Sequence, residues 1–341
     1  MKTQIINSTD QQGLKIAGQI IKNGGLVAMP TETVYGLGAD ATNPIAVKNI
    51  FKAKGRPSDN PLIVHIANAK DASRYAKDIP ELFYKLTDCF SPGPLTIILK
   101  KADCIPMETS GGLETVGIRI PANETARNII ELSGTAIAAP SANLSGSPSP
   151  TNAKRCIDDL FGRVDAIVDG GECAVGVEST VISLAEEKPI LYRPGFVTFE
   201  EIKEITGELL IHDGVLDKLK DGEKVSSPGL KYKHYSPNCQ VVLVDGQSSL
   251  YCDFVNKKSK ENPGVLAMCF VEDEKGLSCP HISYGYESNE LSLAQGVFEA
   301  LRQTDEKGAR LVYAHCPKSE GISLAVYNRL LRAAGFQVIK L

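Results

Sequence analysis

Thr135-Ala136-Ile137-Ala138-Ala139 runs directly into Pro140-Ser141-Ala142-Asn143, an apolar, strand-like stretch that ends in a hydroxyl and an amide. The same pattern recurs on either side of it. Leu26-Val-Ala-Met29 leads into Pro30-Thr31-Glu32-Thr33-Val34-Tyr35-Gly36-Leu37-Gly38. Leu62-Ile-Val-His65-Ile66 carries one imidazole, and Val116-Gly-Ile-Arg119-Ile-Pro121 carries one guanidinium. Gly176-Val-Glu178-Ser179-Thr180 and Leu191-Tyr-Arg193-Pro-Gly195 add two more examples. Short continuous apolar runs without polar alternation read as strands buried on both faces. An α/β protein keeps its chemistry where such strands end, so these polar residues are expected to converge on one cleft.

Helical periodicity fills the gaps between the runs. Leu14, Ala17, Ile20 and Ile21 share a helical face that stops at Asn23-Gly24-Gly25. Segments 44–54, 80–89, 123–133 and 151–161 read as further helices, and 95–99, 166–168 and 180–184 as further strands. The alternation specifies an α/β domain with a large sheet, closed by a helix near 198–206. Residues 207–238 then mix charges, glycines and a Ser226-Ser-Pro-Gly229 turn without strong periodicity, which marks a linker, and long connections of this kind are often functional. From Gln240 a βαβ pattern returns through Gly264–Val271, a helix carrying Leu291, Ala294, Phe298 and Leu301, and Ala309–Ala314. A last helix carries Leu324, Tyr327, Leu331 and Ala334. That order predicts a smaller, Rossmann-like α/β domain, and since no G-x-G-x-x-G stands at its first turn, no dinucleotide is assigned to it. The expected division is 1–206, a linker at 207–238, and 239–341.

Length and composition agree. At 341 residues the chain calls for about two domains, and 43% hydrophobic with 23% charged residues is the composition of a globular protein. Lys and Arg number 37 against 41 Asp and Glu, so no general basic field exists to hold nucleic acid non-specifically. The polar N-terminus MKTQIINSTDQQ and the lack of any run approaching the ~18–20 apolar residues of a membrane span predict a cytoplasmic protein with no membrane partner. Nine cysteines stand singly, with no Cys-x-x-Cys, which favours free thiols over a zinc site.

The chemistry-bearing residues fit an anionic ligand. Lys54-Gly55-Arg56-Pro57 sets two cations on a Gly/Pro corner. Arg offers a planar bidentate fork, Lys a point charge, and Ser141 and Asn143 neutral hydrogen bonds, a set suited to a polyphosphate and a carboxylate. Arg119 inside an apolar run either faces solvent at a sheet edge or pairs with an anion in a cleft, because an unpaired buried charge is expensive. His65 is either a hydrogen-bonded core residue or a ligand contact. Glu32 and Glu178 are compatible with acid–base work, a metal or backbone capping, and Tyr35 either packs on a base or closes its turn.

Residues 26–196 resemble the YrdC-like domain, and the whole chain resembles Sua5-type threonylcarbamoyl-AMP synthases. The strings that carry the resemblance are PTETVYGLG (30–38), KGRPSDNPL (54–62), SPGPLT (91–96), GIRIP (117–121), APSANLSG (139–146), ESTVI (178–182), RPG (193–195) and KYKHYSP (231–237). The resemblance implies condensation of L-threonine, bicarbonate and ATP into threonylcarbamoyl-AMP, an intermediate handed to a tRNA threonylcarbamoyltransferase, without stable tRNA binding by the chain itself. It places Lys54, Arg56, Ser141 and Asn143 at the centre of catalysis. It assigns Asn60, Thr115, Ser149, Arg193, His234 and Tyr235, with Arg56 and Ser141, to ATP. Threonine falls to Thr33, His65, Arg119, the backbone of Ala139, and Ser179 or Thr180. Mg2+ is expected to arrive on the ATP phosphates, with no organic cofactor and no protein-built metal site. KYKHYSP becomes a possible lid, with Ser236 where the family often has Ala. The rival from another class is an RNA-binding module, disfavoured by the net charge of −4. A carbamoyltransferase of the hydrogenase-maturation type would need acylphosphatase and zinc-finger regions that this sequence lacks.

Overall fold

The computed structural model describes residues 2–217 and 235–341. In the N-terminal domain the strands are β1 (Gln4–Asn7), β2 (Val27–Met29), β3 (Gly36–Asp40), β4 (Ile63–His65), β5 (Ala76–Lys77) and β6 (Leu95–Lys101). They continue as β7 (Thr115–Arg119), β8 (Ile137–Ala138), β9 (Ala166–Asp169), β10 (Thr180–Ser183), β11 (Ile190–Arg193) and β12 (Leu210–Ile211). They form one sheet in the order β1-β9-β2-β3-β8-β4-β7-β6-β10-β11-β12, with β5 added against β6. Pairing is mixed: β4 runs parallel to β7 but antiparallel to β8, and β3 is antiparallel to both β2 and β8. The last strand, Leu210–Ile211, pairs with β11 and so carries the sheet into the segment read as linker.

Local sequence explains how the cleft residues are delivered. In the helix Pro44–Lys54, Asn43 accepts from the amides of Ile45 and Ala46, and proline occupies the first turn. Gly55 ends the helix with φ +63°, a left-handed conformation that glycine adopts without the Cβ penalty. Ala46, Val47, Ile50 and Phe51 point into the main core. Anchoring that face holds Lys54 and Arg56 on either side of the turn.

The C-terminal domain is an open, all-parallel sheet. Its strands β13 (Gln240–Asp245), β14 (Val265–Cys269), β15 (His281–Ser283), β16 (Leu311–His315) and β17 (Val338–Lys340) lie in the order β15-β14-β16-β13-β17. It therefore shares the parallel layered build of Rossmann-like sheets, although β16 stands between β14 and β13 where the standard order sets those two side by side. No helix among the described residues is long and apolar enough to cross a membrane.

The two domains are packed together along an apolar seam. Val34, Val175 and Val177 of the N-terminal domain belong to the same buried cluster as Ala294, Val297 and Phe298 of the helix Glu290–Glu306. Burying each valine contributes roughly 1.5 kcal/mol or more. Ion pairs also cross between the domains, Arg155 with Glu299 and Glu306 and Arg302 with Asp159; both guanidinium groups are largely buried, so desolvation offsets much of their Coulombic gain. Gly176, at φ +87°, makes the seam possible, because a Cβ there would lie 2.4 Å from Gln295 Cα and 2.5 Å from the Ala294 carbonyl oxygen. Both obstacles are backbone, so the helix would have to move. Gly176→Ala is expected to lower stability by about 1–3 kcal/mol, the usual cost of overpacking; thermal melting checks this, and an unchanged Tm would contradict the close approach.

Candidate active site

One cleft of about 760 Å3, counting its open mouth, gathers the polar strand ends. Its axis is β4. His65 and Arg119 are direct partners in the β4–β7 register, and at the other end of β4 the Ala139 amide donates to the Ile63 carbonyl at 2.9 Å. Because β8 runs against β4, the Pro140–Asn143 turn comes back along the same cleft and bridges to Gly36.

The Lys54 ammonium donates to the carbonyl oxygens of Ser141 and Asn143, and lies 3.4 Å from the Asn143 side-chain oxygen. Ser141 Oγ also donates to that oxygen, while Asn143 Nδ2 donates to the Leu144 and Ser147 carbonyls at 2.7 and 2.8 Å. Lys54 thus tethers the turn as well as facing the cleft. Burial, with the neighbouring positive charge of Arg56, pushes the Lys54 pKa well below that of an ordinary lysine. Arg56 Nη2 reaches the Pro61 carbonyl at 3.5 Å.

Arg119 donates through Nη2 to Glu32 Oε1 at 2.8 Å and to Thr33 Oγ1 at 2.9 Å. Burial works to raise the Glu32 pKa, but the charge and hydrogen bond of Arg119 outweigh it and hold the carboxyl below its usual range. Arg119 Nε and Glu32 Oε2 are buried without a hydrogen-bond partner among the described residues, as are both polar atoms of the Asn60 amide. His65 Nδ1 lies 3.1 Å from the Ile63 carbonyl. A carbonyl only accepts, so that nitrogen carries the proton and Nε2 is left as an acceptor. Burial, reinforced by the Arg119 charge, drives the His65 pKa down to about 3.

The remaining wall comes from three segments. Arg193 donates to Ser179 through Nε to the carbonyl and Nη2 to Oγ, at 3.0 and 3.1 Å, and burial lowers its pKa to about 10. Ser149 Oγ donates to Glu178 Oε1 at 2.5 Å. Tyr235 packs on Phe298 with ring centroids 5.2 Å apart, and burial raises its pKa.

Comparison with known proteins shows the family. The Sua5/YciO/YrdC family model, described as telomere recombination, matches residues 19–195, and the model of the threonylcarbamoyl-AMP synthase C-terminal domain matches 197–335. Threonylcarbamoyl-AMP synthase from Pyrococcus abyssi is 45% identical over 96% of this chain and 95% of its own length. The enzyme of that name from Bacillus subtilis is 41% identical over 98% and 96%. The crystal structure of P. abyssi Sua5 complexed with L-threonine superposes with a TM-score of 0.94 at 42% identity, covering 99% of this chain and all of that one. The chain belongs to the Sua5 family of threonylcarbamoyl-AMP synthases.

Among the residues that the sequence nominated for this Sua5-type site, Lys54, Arg56, Ser141, Asn143, Ser149 and Arg193 line the cleft. So do His65, Arg119, Ala139 and Tyr235. Thr33 and Ser179 stand one layer behind, bonded to Arg119 and Arg193. Asn60 is buried beside the cleft without lining it. Two nominations, Thr180 and Thr115, are not among the residues that line the cleft. Thr180 spends its hydroxyl on the Val197 carbonyl at 2.6 Å, and Thr115, at the start of β7, opens on a separate small cavity beyond Pro61–Ile63. His234, with Lys231 to Lys233 of the lid string, lies outside the described residues.

Sequence reasoning missed Arg329, whose Nε donates to Glu178 Oε2 at 2.8 Å from the C-terminal domain. The available signal was polar Asn328, Arg329 and Arg332 inside an otherwise apolar helical stretch.

His65 sets a pH dependence. Above its unfolded value near 6.5 the imidazole is neutral in both states; below it the unfolded chain takes up a proton that folded His65, at about 3, does not. This contribution to stability is therefore complete above about 6.5 and is lost as pH falls toward about 3. Imidazole 1H–15N NMR is expected to show a neutral, Nδ1-protonated ring from about pH 5 to 8. An imidazolium pattern at the acid end of that range would contradict the assignment.

Proposed function

We propose that this chain condenses L-threonine, bicarbonate and ATP into threonylcarbamoyl-AMP with release of pyrophosphate, acting as a nucleotidyltransferase. The observation that carries the reading is the grouping of four cationic side chains, Lys54, Arg56, Arg119 and Arg193, around one cleft that also holds a neutral histidine. Support for threonine comes from the complex of the P. abyssi relative. Arg119 binds the amino-acid carboxylate through the guanidinium edge that Glu32 leaves open, and His65 Nε2 accepts from the ammonium or hydroxyl.

In the reaction the threonine nitrogen, after losing a proton, bonds to the bicarbonate carbon with loss of water. A carbamate oxygen then bonds to the α-phosphorus, and the bond to the β-phosphate breaks with its electron pair leaving on pyrophosphate. The carbamate is short-lived in water, so holding three substrates together matters, and positioning alone supplies ~7 kcal/mol or more in favourable cases. A histidine with a pKa of about 3 is a weak base at neutral pH, which assigns His65 to orientation.

Lys54, Arg56, Ser141 and Asn143 surround the reacting oxygens, with Ser149, Arg193 and Tyr235 on the nucleotide and Asn60 supporting that wall from just behind it. The family resemblance assigns His234 a further nucleotide contact. ATP enters as its magnesium complex, with the metal on phosphate oxygens and water, because Glu178, the carboxylate that lines the cleft, is already committed to Ser149 and Arg329. The product then passes to a tRNA threonylcarbamoyltransferase in the cytoplasm, which modifies the adenosine beside the anticodon in ANN-decoding tRNAs.

Pyrophosphate release that requires both threonine and bicarbonate, without tRNA, is the test. Arg56→Ala is expected to lower it by about 100-fold, the usual cost of losing one preorganised electrostatic contact, with little change in Tm. Lys54→Ala should lose activity and stability together, because the Ser141–Asn143 turn loses its tether. Near-normal turnover in Arg56→Ala would refute the site.

A further inference from the structure

The helix Ser323–Ala333 belongs to the C-terminal domain, yet its Arg329 side chain ends beneath the cleft of the N-terminal one. It is fully buried. Nε donates to Glu178 Oε2 at 2.8 Å, Nη1 to the Pro194 carbonyl at 2.8 Å, and Nη2 to the Glu178 carbonyl at 3.4 Å. The guanidinium carbon sits 5.8 Å from the centre of the Tyr235 ring. Glu178 reaches forward to Ser149, and Pro194 directly follows Arg193. One guanidinium therefore touches Glu178, Tyr235 and the end of the strand that presents Arg193, all of which border the cleft.

Domain cohesion alone does not explain this placement. The apolar seam and the Arg155 and Arg302 pairs already join the domains at the rim. A fully buried ion pair is a poor source of stability, since its desolvation often cancels its Coulombic gain. Burial raises and the charges of Arg329 and Arg193 lower the Glu178 pKa, and the net effect is downward, so the carboxylate stays ionised and keeps its hold on Ser149. We propose that Arg329 is a positioning residue of the synthase site, supplied by the C-terminal domain to fix Glu178, the Arg193–Pro194 strand end and Tyr235 in the arrangement that binds the nucleotide. The inference rests on the synthase reading above.

Arg329→Lys keeps the charge but presents a single nitrogen in place of a planar fork, so it cannot serve Glu178 and Pro194 in the same geometry. With ATP and L-threonine varied in turn, pyrophosphate release is expected to show KM for ATP raised by roughly 10-fold and KM for L-threonine within roughly 2-fold, with calorimetric ATP affinity weakened in parallel. Glu299→Gln, which loosens the rim alone, is the control and should leave both constants near wild type. Wild-type KM for ATP in Arg329→Lys, or a rise of both constants by the same factor, overturns the proposal. If Arg329→Lys does not fold, Glu178→Gln is read the same way, and an unchanged KM for ATP there is equally fatal. A wild-type protein that forms no adenylate from the three substrates overturns the synthase reading instead, and ATP calorimetry on the variants still decides the role of Arg329.

Discussion

Lys54, Arg119, Arg193 and Arg329 are buried around one cleft with Glu32 and Glu178 as the buried carboxylates among them. Bringing like charges together out of water is costly, and much of the surrounding structure serves to make it tolerable. Carbonyl oxygens of Ser141 and Asn143 sheathe Lys54, Ser179 receives Arg193, Glu32 and Thr33 receive Arg119, and Glu178 with Pro194 receives Arg329. The compensation is incomplete, as the depressed pKa values of Lys54 and Arg193 record. An anionic ligand relieves that strain. The field exists before the ligand arrives, which is the condition under which electrostatic stabilisation needs little reorganisation.

The mixed sheet is what allows so many cations to share a site. In a purely parallel sheet only carboxyl ends of strands face the crevice. Here β4 is three residues long and has a parallel neighbour on one side and an antiparallel one on the other. His65 and Arg119 therefore enter from the ends of parallel strands, while Ala139 and the Ser141–Asn143 turn enter from a strand travelling the other way. The short β4 brings both sets within one cavity.

Much of this was legible in the sequence. The helix over 44–54, the strands near 63–65, 95–101 and 115–119, and the helix closing the first domain came from apolar periodicity and end signals. The strand Gly36–Asp40 did not, because Gly-Leu-Gly-Ala-Asp has neither the β-branched content nor the length of a strand signal; pairing with β2 and β8 creates it. Thr180 and Ser179 show how neighbours in one string take different surroundings. Ser179 reaches Arg193, but neighbouring residues of a strand face opposite sides, and the Thr180 hydroxyl closes on Val197. Arg329 was hidden for a different reason: its partners Glu178 and Pro194 are more than a hundred residues away, and only docking of the two domains brings them together.

That docking also governs the linker. Arg332 Nη2 donates to the Gly214 carbonyl and Asn328 Nδ2 to the Val215 carbonyl, just before the undescribed stretch. Beyond it, Ser236 Oγ donates to the Ala333 carbonyl while the Ser236 amide donates to Gly146. Both described ends of the linker are thus held by the helix that carries Arg329. A shift of that helix would move the linker ends, Tyr235 and the partner of Glu178 together, so the C-terminal domain behaves as a structural wall of the cleft.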